Sequence, residues 1–249
     1  MRRTRHTALL CAVCALALFL GIGAMPSTLA LYSAADEDRH VLVFEESGDV
    51  NVSLTEKLFD EDAAKGLTAG STIVKDPVLK NNKGDAYARV FVQIVDNNLD
   101  ADGNESGVVL TPENDAERLE KILGAIWSDP QDSLEPGIAY SSADIAAAPG
   151  VHALFNAESY KQAEPEFNAT AGAYVFEYDG LLKSGDEAAL FDRICIPSDY
   201  TTADVQLMGN FSICIWGQAI QKDGFDDQES AMAALTDEFH FDADGKAAA

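Results

Sequence analysis

Four oxygen-bearing side chains recur at every second position near the middle of the chain, a spacing that could hold a metal ion. They belong to Asn98, Asp100, Asp102 and Asn104. Calcium prefers carboxylate and carbonyl oxygens, and Gly103 stands where a calcium loop turns sharply. An EF-hand loop starting here would need a bidentate glutamate at its last position, which is occupied by Val109. The segment therefore predicts either a weak calcium site or a polar turn without metal.

The histidines show no hydrolase motif. After the first 30 residues they are His40, His152 and His240, each isolated in the sequence. A zinc peptidase of the common type carries His-Glu-x-x-His, and many serine hydrolases carry Gly-x-Ser-x-Gly. Neither pattern occurs. We therefore predict no catalytic residues and no organic cofactor.

Two of the four cysteines, Cys11 and Cys14, lie in the apolar N-terminal stretch, which leaves Cys195 and Cys214. In an exported protein, a remaining pair predicts one disulfide. A pair of buried thiols is the alternative, because free cysteine is among the most buried residue types.

The N-terminus has the pattern of a secretory signal. Three arginines precede an apolar run from Ala8 to Met25, and Pro26 follows it. Small residues at Thr28 and Ala30 occupy the positions that a signal peptidase reads. We predict cleavage between Ala30 and Leu31, after which no apolar segment holds the protein in a membrane. The alternative is a membrane anchor, for which the run is just long enough.

The charge balance is strongly acidic. Three of the 17 basic residues and none of the 42 acidic residues lie in the predicted signal, so 14 basic residues face 42 acidic ones in the remaining chain. Nucleic acid is excluded as a partner, because its recognition requires a basic surface. The carboxylates repel one another, so we expect a soluble chain until cations or specific contacts screen them.

Strand patterns dominate the chain. Alternating or β-branched runs predict strands at the positions that follow. They are residues 40–44, 50–54, 87–95, 173–178, 190–197, 205–208 and 211–221. Gly84 and Asp85 predict a turn into the third of these strands.

One helix is predicted between the strands. Thr111 is a capping hydroxyl, Pro112 suits the first helical position, and the apolar residues that follow face one side as far as Trp127. Residues 128–168 predict loops and one short helix at 144–148. We therefore expect a mainly β, jelly-roll-like antiparallel two-sheet sandwich, a single domain over residues 31–249, with a helical and loop insertion at about 97–170.

Four segments have a sequence, order and spacing that can be compared with a known family: residues 67–77 (LTAGSTIVKDP), 84–90 (GDAYARV), 190–197 (LFDRICIP) and 219–225 (AIQKDGF). They resemble the TasA and camelysin family of exported bacterial proteins, which are processed by the SipW type of signal peptidase. The junction at Ala30–Ser33 is similar to the start of mature family members. The resemblance implies a jelly roll, export to the cell surface or extracellular matrix, and assembly into biofilm fibres.

Three functional hypotheses follow. The first is a structural or accessory subunit of a surface or biofilm-matrix fibre, whose partners are copies of itself or related subunits. Its N-terminal segment, Leu31 to Phe44, would be donated as a strand to a neighbouring copy, because exposed sheet edges accept extended segments. The alternatives are a secreted metallopeptidase of the camelysin type, which the resemblance raises, and a monomeric calcium-binding surface protein.

Overall fold

The computed structural model describes residues 29–30, 42–44, 50–56, 58–59, 61–98, 106–161 and 166–235. Among the described residues, 37% lie in strands and 18% in helices, so the fold is mainly β. The strands are β1 (Leu29–Ala30), β2 (Leu42–Phe44), β3 (Asn51–Glu56), β4 (Lys65–Leu67), β5 (Thr72–Val74), β6 (Pro77–Lys83), β7 (Ala86–Asp96), β8 (Val108–Val109), β9 (Ile126–Ser128), β10 (His152–Ala153), β11 (Glu166–Asn168), β12 (Ala173–Glu177), β13 (Glu187–Ala189), β14 (Arg193–Cys195) and β15 (Phe211–Gln221). The helices are α1 (Glu61–Ala64), α2 (Ala116–Leu123), α3 (Ser142–Ala147), α4 (Thr202–Met208) and α5 (Gln228–Ala234).

The strands form three larger sheets and one two-stranded pair. The six-stranded sheet has the order β11-β12-β7-β15-β2, with β8 also paired to β7. The four-stranded sheet has the order β10-β9-β14-β5, the three-stranded sheet β13-β6-β3, and β1 pairs with β4. These pairings are antiparallel except that β2 runs parallel to β15.

The longest pairing joins β7 and β15. Its register extends over eleven residue pairs, from Phe211 opposite Asp96 to Gln221 opposite Ala86. Both strands were predicted, and both carry the alternation of apolar side chains that buries one face of a sheet. Gly84 has a φ of 71° in the predicted turn before β7, a conformation that glycine adopts at little cost.

One apolar core lies between the sheets. Its buried residues include Val92 and Ile215 on the six-stranded sheet, Ile194 on the four-stranded sheet, and Leu54 and Leu79 on the three-stranded sheet. Sheets that share a single core in this way form a sandwich. The predicted mainly β, antiparallel sandwich is confirmed.

The helix predicted from Thr111 is shorter than expected. Thr111 and Asn114 exchange hydrogen bonds between their side chains and backbone amides, which makes a separate turn. Helix α2 begins only at Ala116 and ends at Leu123, and Ile126–Ser128 is a strand. Gly124, at the helix C-terminus, is followed directly by the chain's return to the four-stranded sheet. The short helix predicted at 144–148 is present as α3.

One further prediction needs correction. Residues 205–208, read as a strand, belong to α4, because Thr201 and Asp204 form a reciprocal capping box that starts a helix. Within residues 97–170, predicted as a helical and loop insertion, the structure also has short strands: β9 and β10 pair within the four-stranded sheet, and β11 pairs with β12. Among the described residues, no helix has the length and apolar character needed to cross a bilayer.

Candidate functional site

The candidate site is the position of β2, at the junction of two sheets. β2 is the outermost strand of the six-stranded sheet, and β3 is the outermost strand of the three-stranded sheet. Beyond its pairing with β15, β2 also lies beside β3, and β3 approaches β15. The strand therefore fills the gap where the edges of the two sheets meet. We call this position the junction slot.

The backbone pairing in the junction slot is short. Leu42, Val43 and Phe44 lie opposite Gly217, Gln218 and Ala219 in parallel register. The pairing covers three of the eleven residues of β15. Sheet edges present rows of backbone N–H and C=O groups that an added strand can satisfy, and the bonds do not depend on which chain supplies that strand.

A second short pairing lies further towards the N-terminus. In β1, Leu29 lies opposite Leu67 and Ala30 opposite Lys65 on β4, with an irregular register between the two pairs. The predicted signal cleavage follows Ala30, so it would separate β1 from the rest of the chain. Leu31, the other residue of the predicted cleavage site, lies outside the described residues.

A buried ion pair anchors the strand that forms one wall of the slot. Glu56 ends β3, and its Oε1 atom lies 2.7 Å from Nζ of Lys75, whose side chain is 0% exposed. The same ammonium group lies 4.5 Å from the ring centroid of Phe59. The backbone amide of Lys75 donates to the carbonyl of Asp192. Lys75 therefore joins the end of β3 to the four-stranded sheet.

A carboxylate and guanidinium cluster, which the sequence did not predict, holds the loop after β9. Asp129 is 1% exposed and accepts hydrogen bonds from the amides of Ser133 and Leu134. Both carboxylate oxygens of Asp192 accept from the amide of Asp129, at 3.1 and 3.0 Å. Arg193 donates to the carbonyl of Leu134 and pairs with a further carboxylate, that of Asp132.

The electrostatics of this cluster are set by burial. Burial raises the pKa of Asp192 to about 6, although the amide of Asp129 and the charge of Arg193 act in the opposite direction. The carboxylate oxygens are committed to backbone amides and to arginine, so the cluster fixes a loop and makes its stability depend on pH. Its partners are far apart in sequence, and no local pattern marked them.

The predicted calcium segment is only partly described. The amide oxygen of Asn98 accepts from the backbone amide of Asn210 at 3.0 Å, which ties the start of the segment to the start of β15. Asp100, Asp102 and Asn104 lie outside the described residues. In the described part of the chain no three His, Cys, Asp or Glu side chains gather into a possible metal site. Calcium binding by this segment stays a prediction.

The two cysteines lie on different sheets. Cys195 is in β14, and its Sγ atom is 3.1 Å from Oγ1 of Thr72. Burial raises the pKa of this thiol. Cys214 is in β15, opposite Gln93 of β7. The structure has both as thiols, so it does not contain the disulfide that the sequence suggested.

Of the three histidines considered for hydrolase chemistry, only His152 is described. It lies in β10, opposite Ser128 of β9. His40 and His240 lie outside the described residues.

Comparison of the chain with family models, with curated proteins and with solved structures gives no match. We therefore infer the function from the sequence and from the geometry of the junction slot.

Proposed function

We propose that this protein is an exported structural or accessory subunit of a bacterial surface or matrix fibre. In this proposal, the N-terminal segment of one copy occupies the junction slot of the next. The observation that carries the proposal is the placement of β2, an outer strand held by a three-residue parallel pairing between the edges of two sheets. The resemblance to the TasA and camelysin family points in the same direction.

Exchange of this strand between copies would conserve its backbone hydrogen bonds. The same residues would face Gly217, Gln218 and Ala219 whether they come from the same chain or from a neighbour. Because the donated strand and the accepting slot are different surfaces, the contact is head to tail, and repeating it produces an open filament unless the rotation closes a ring. Cleavage after Ala30 would free the segment for donation.

The charge of the chain suggests when assembly would occur. With 42 acidic and 14 basic residues after the predicted signal, copies repel one another at low ionic strength. Salt screens such repulsion over about 10 Å at about 0.1 M. We therefore expect filaments to require salt or divalent cations.

Electron microscopy of the chain from Leu31 onwards tests the proposal. We expect filaments in the presence of salt, and a folded monomer without filaments when residues 31–44, which include β2, are also removed. Removal of residues 243–249 serves as a control truncation and should leave the filaments intact. Filaments from the chain without residues 31–44 would refute strand donation. A casein assay with and without chelator tests the peptidase alternative on the same samples.

A further inference from the structure

A cleft with a volume of about 590 Å³ opens beside helix α2. One wall is the face of α2 that carries Ala116, Leu119 and Leu123, and the other is the segment of residues 153–155 at the end of β10. Tyr174 of β12 also lines this space, which we call the α2 cleft. Clefts of this size hold small organic molecules in many proteins, and most of their lining is apolar.

The interior of the α2 cleft is continuous with the main core. Leu119, Leu154 and Phe155 line it, and all three are buried members of that core. The lining residues of α2 lie three or four positions apart, which places them on one face of the helix. Apolar surface of this kind favours a ligand whose body removes it from water.

One nearly buried polar group in the lining lacks a protein partner. Tyr174 is 8% exposed, and its ring packs edge-on against Phe167. Its hydroxyl has no hydrogen-bond partner among the described residues, although buried tyrosine hydroxyls usually have one. Burial raises the pKa of this phenol, so it stays protonated at neutral pH and can donate a hydrogen bond. A ligand oxygen in the cleft would satisfy it.

The wall opposite α2 is held in an unusual conformation. Leu154 has a φ of 68°, and the amide of Phe155 donates to the carbonyl of Ala153 at 2.8 Å. This is the rarer and strained form of the γ-turn. The amide of Leu154 donates to the carbonyl of Ile126 on β9 at 2.8 Å, which fixes the turn to the four-stranded sheet. Strained residues of this kind cluster at sites that clamp ligands.

The charge in the lining of the α2 cleft is negative. Glu120 is exposed and lines the cleft, whereas none of the described lining residues is a lysine or an arginine. The neighbouring cation, Lys121, is engaged elsewhere: its Nζ lies 2.8 Å from the carboxylate of Asp204 and 4.8 Å from the ring centroid of Tyr200. The cleft therefore favours a ligand with a positive charge.

We propose that the α2 cleft binds a small amine whose apolar body carries a hydroxyl or carbonyl oxygen. The body packs against Leu119, Leu154 and Phe155, and the oxygen accepts a hydrogen bond from the hydroxyl of Tyr174. The ammonium group pairs with Glu120. This site lies apart from the junction slot, so binding there does not depend on strand donation.

Isothermal titration calorimetry with three small probes tests the proposal. The protein is the chain from Leu31 onwards, kept at low ionic strength so that the charge of Glu120 is little screened. Tyramine carries an ammonium group and a phenol at opposite ends, phenethylamine lacks the phenol oxygen, and para-ethylphenol lacks the ammonium group. We expect saturable binding of tyramine and several-fold weaker binding of each of the other two.

Two variants separate the roles of the polar groups. Glu120→Gln should weaken tyramine and phenethylamine several-fold and leave para-ethylphenol unchanged. Tyr174→Phe should weaken tyramine and para-ethylphenol several-fold and leave phenethylamine unchanged. Glu117→Gln is the control for charge, because it removes the same charge from an exposed position of α2 that does not line the cleft. It should weaken the two amines much less than Glu120→Gln does.

A third variant locates the site. Ala153 is exposed and lines the cleft, so Ala153→Phe should fill part of it and abolish binding of all three probes. Ala146→Phe makes the same change at an exposed position of α3 outside the cleft and should bind tyramine normally. Absence of saturable tyramine binding to the unchanged protein overturns the proposal. Tyramine binding that Glu120→Gln and Tyr174→Phe both leave unchanged also overturns it.

Discussion

The two edges of β15 are held in different ways. On one side β7 pairs with it in antiparallel register over eleven residues, and Val92 and Ile215 on these strands are buried in the main core. On the other side β2 pairs with it in parallel over three residues. The first edge is an integral part of the fold, whereas we propose that the strand on the second edge is exchanged between copies. A change to the first edge should therefore affect folding, and a change to the second should affect assembly.

The largest effect is expected at the buried ion pair beside the junction slot. Lys75→Met leaves the Glu56 carboxylate, 5% exposed, without this cation, and breaking a buried pair costs about 3–5 kcal/mol. Urea denaturation measures the loss. Adding Glu56→Leu should recover most of it, since two apolar side chains replace two buried charges. A double variant no more stable than Lys75→Met would contradict this explanation.

A core change on the integral edge comes next. Ile215 is 2% exposed, and truncating a buried isoleucine to alanine costs about 2–5 kcal/mol. Ile215→Ala should lower the urea midpoint of the monomer accordingly. At a temperature where the variant remains folded, it should still form filaments. Filaments lost from a folded Ile215→Ala protein would mean that the two edges are not independent.

A pH effect of similar or smaller size is expected at Asp192. Its pKa in the folded protein is raised to about 6, whereas an unfolded aspartate titrates near about 3.9. The group therefore stabilises the fold at a pH below about 4, and this contribution is lost as the pH rises through about 6. Asparagine does not ionise, so this loss is absent from Asp192→Asn. The free energy of unfolding of the variant should therefore rise by up to about 3 kcal/mol relative to that of the unchanged protein between about pH 4 and 7.5. Urea denaturation across this range checks the gain, and parallel pH curves would contradict it.

The smallest effect on stability is expected at the exchangeable edge. Deletion of residues 31–44 removes β2 and the two or so ladder hydrogen bonds that a three-residue pairing allows, each contributing about 0.5–1.5 kcal/mol. We expect the monomer to lose only about 1–3 kcal/mol in urea denaturation, while filaments disappear. A deletion that unfolds the protein would show that β2 is an integral strand of its own subunit.

The sequence predicted the integral edge better than the exchangeable one. β7 and β15 are long and alternate regularly, so their positions were clear from local pattern. β6 was not predicted, because Pro77 begins it and polar residues end it. Residues 205–208 were misread because a short apolar run fits either a strand or a helix, and the capping box at Thr201 decides for the helix.

The candidate site was only half predictable for a similar reason. Of residues 40–44, predicted as a strand, the described residues 42–44 form β2, but local sequence does not specify which edge a three-residue strand joins or in which direction. The pairing of Lys75 with Glu56 and of Asp129 with Asp192 depends on residues 19 and 63 positions apart. Such contacts follow from the assembled sheets and leave no periodic signal.

Disulfide trapping between copies tests the central claim most directly. In a background with Cys195→Ala and Cys214→Ala, one protein carries Val43→Cys and a second carries Gln218→Cys, the two positions that face each other in the β2–β15 register. The cysteine at position 43 of one protein can reach the cysteine at position 218 of the other only if β2 of one chain occupies the junction slot of the next. We predict that filaments from the mixture, after oxidation, contain chains joined by a disulfide between positions 43 and 218. A third protein that carries both substitutions reports on pairing within one chain. If the bond forms within this third protein but never between the first two in filaments, strand donation is contradicted.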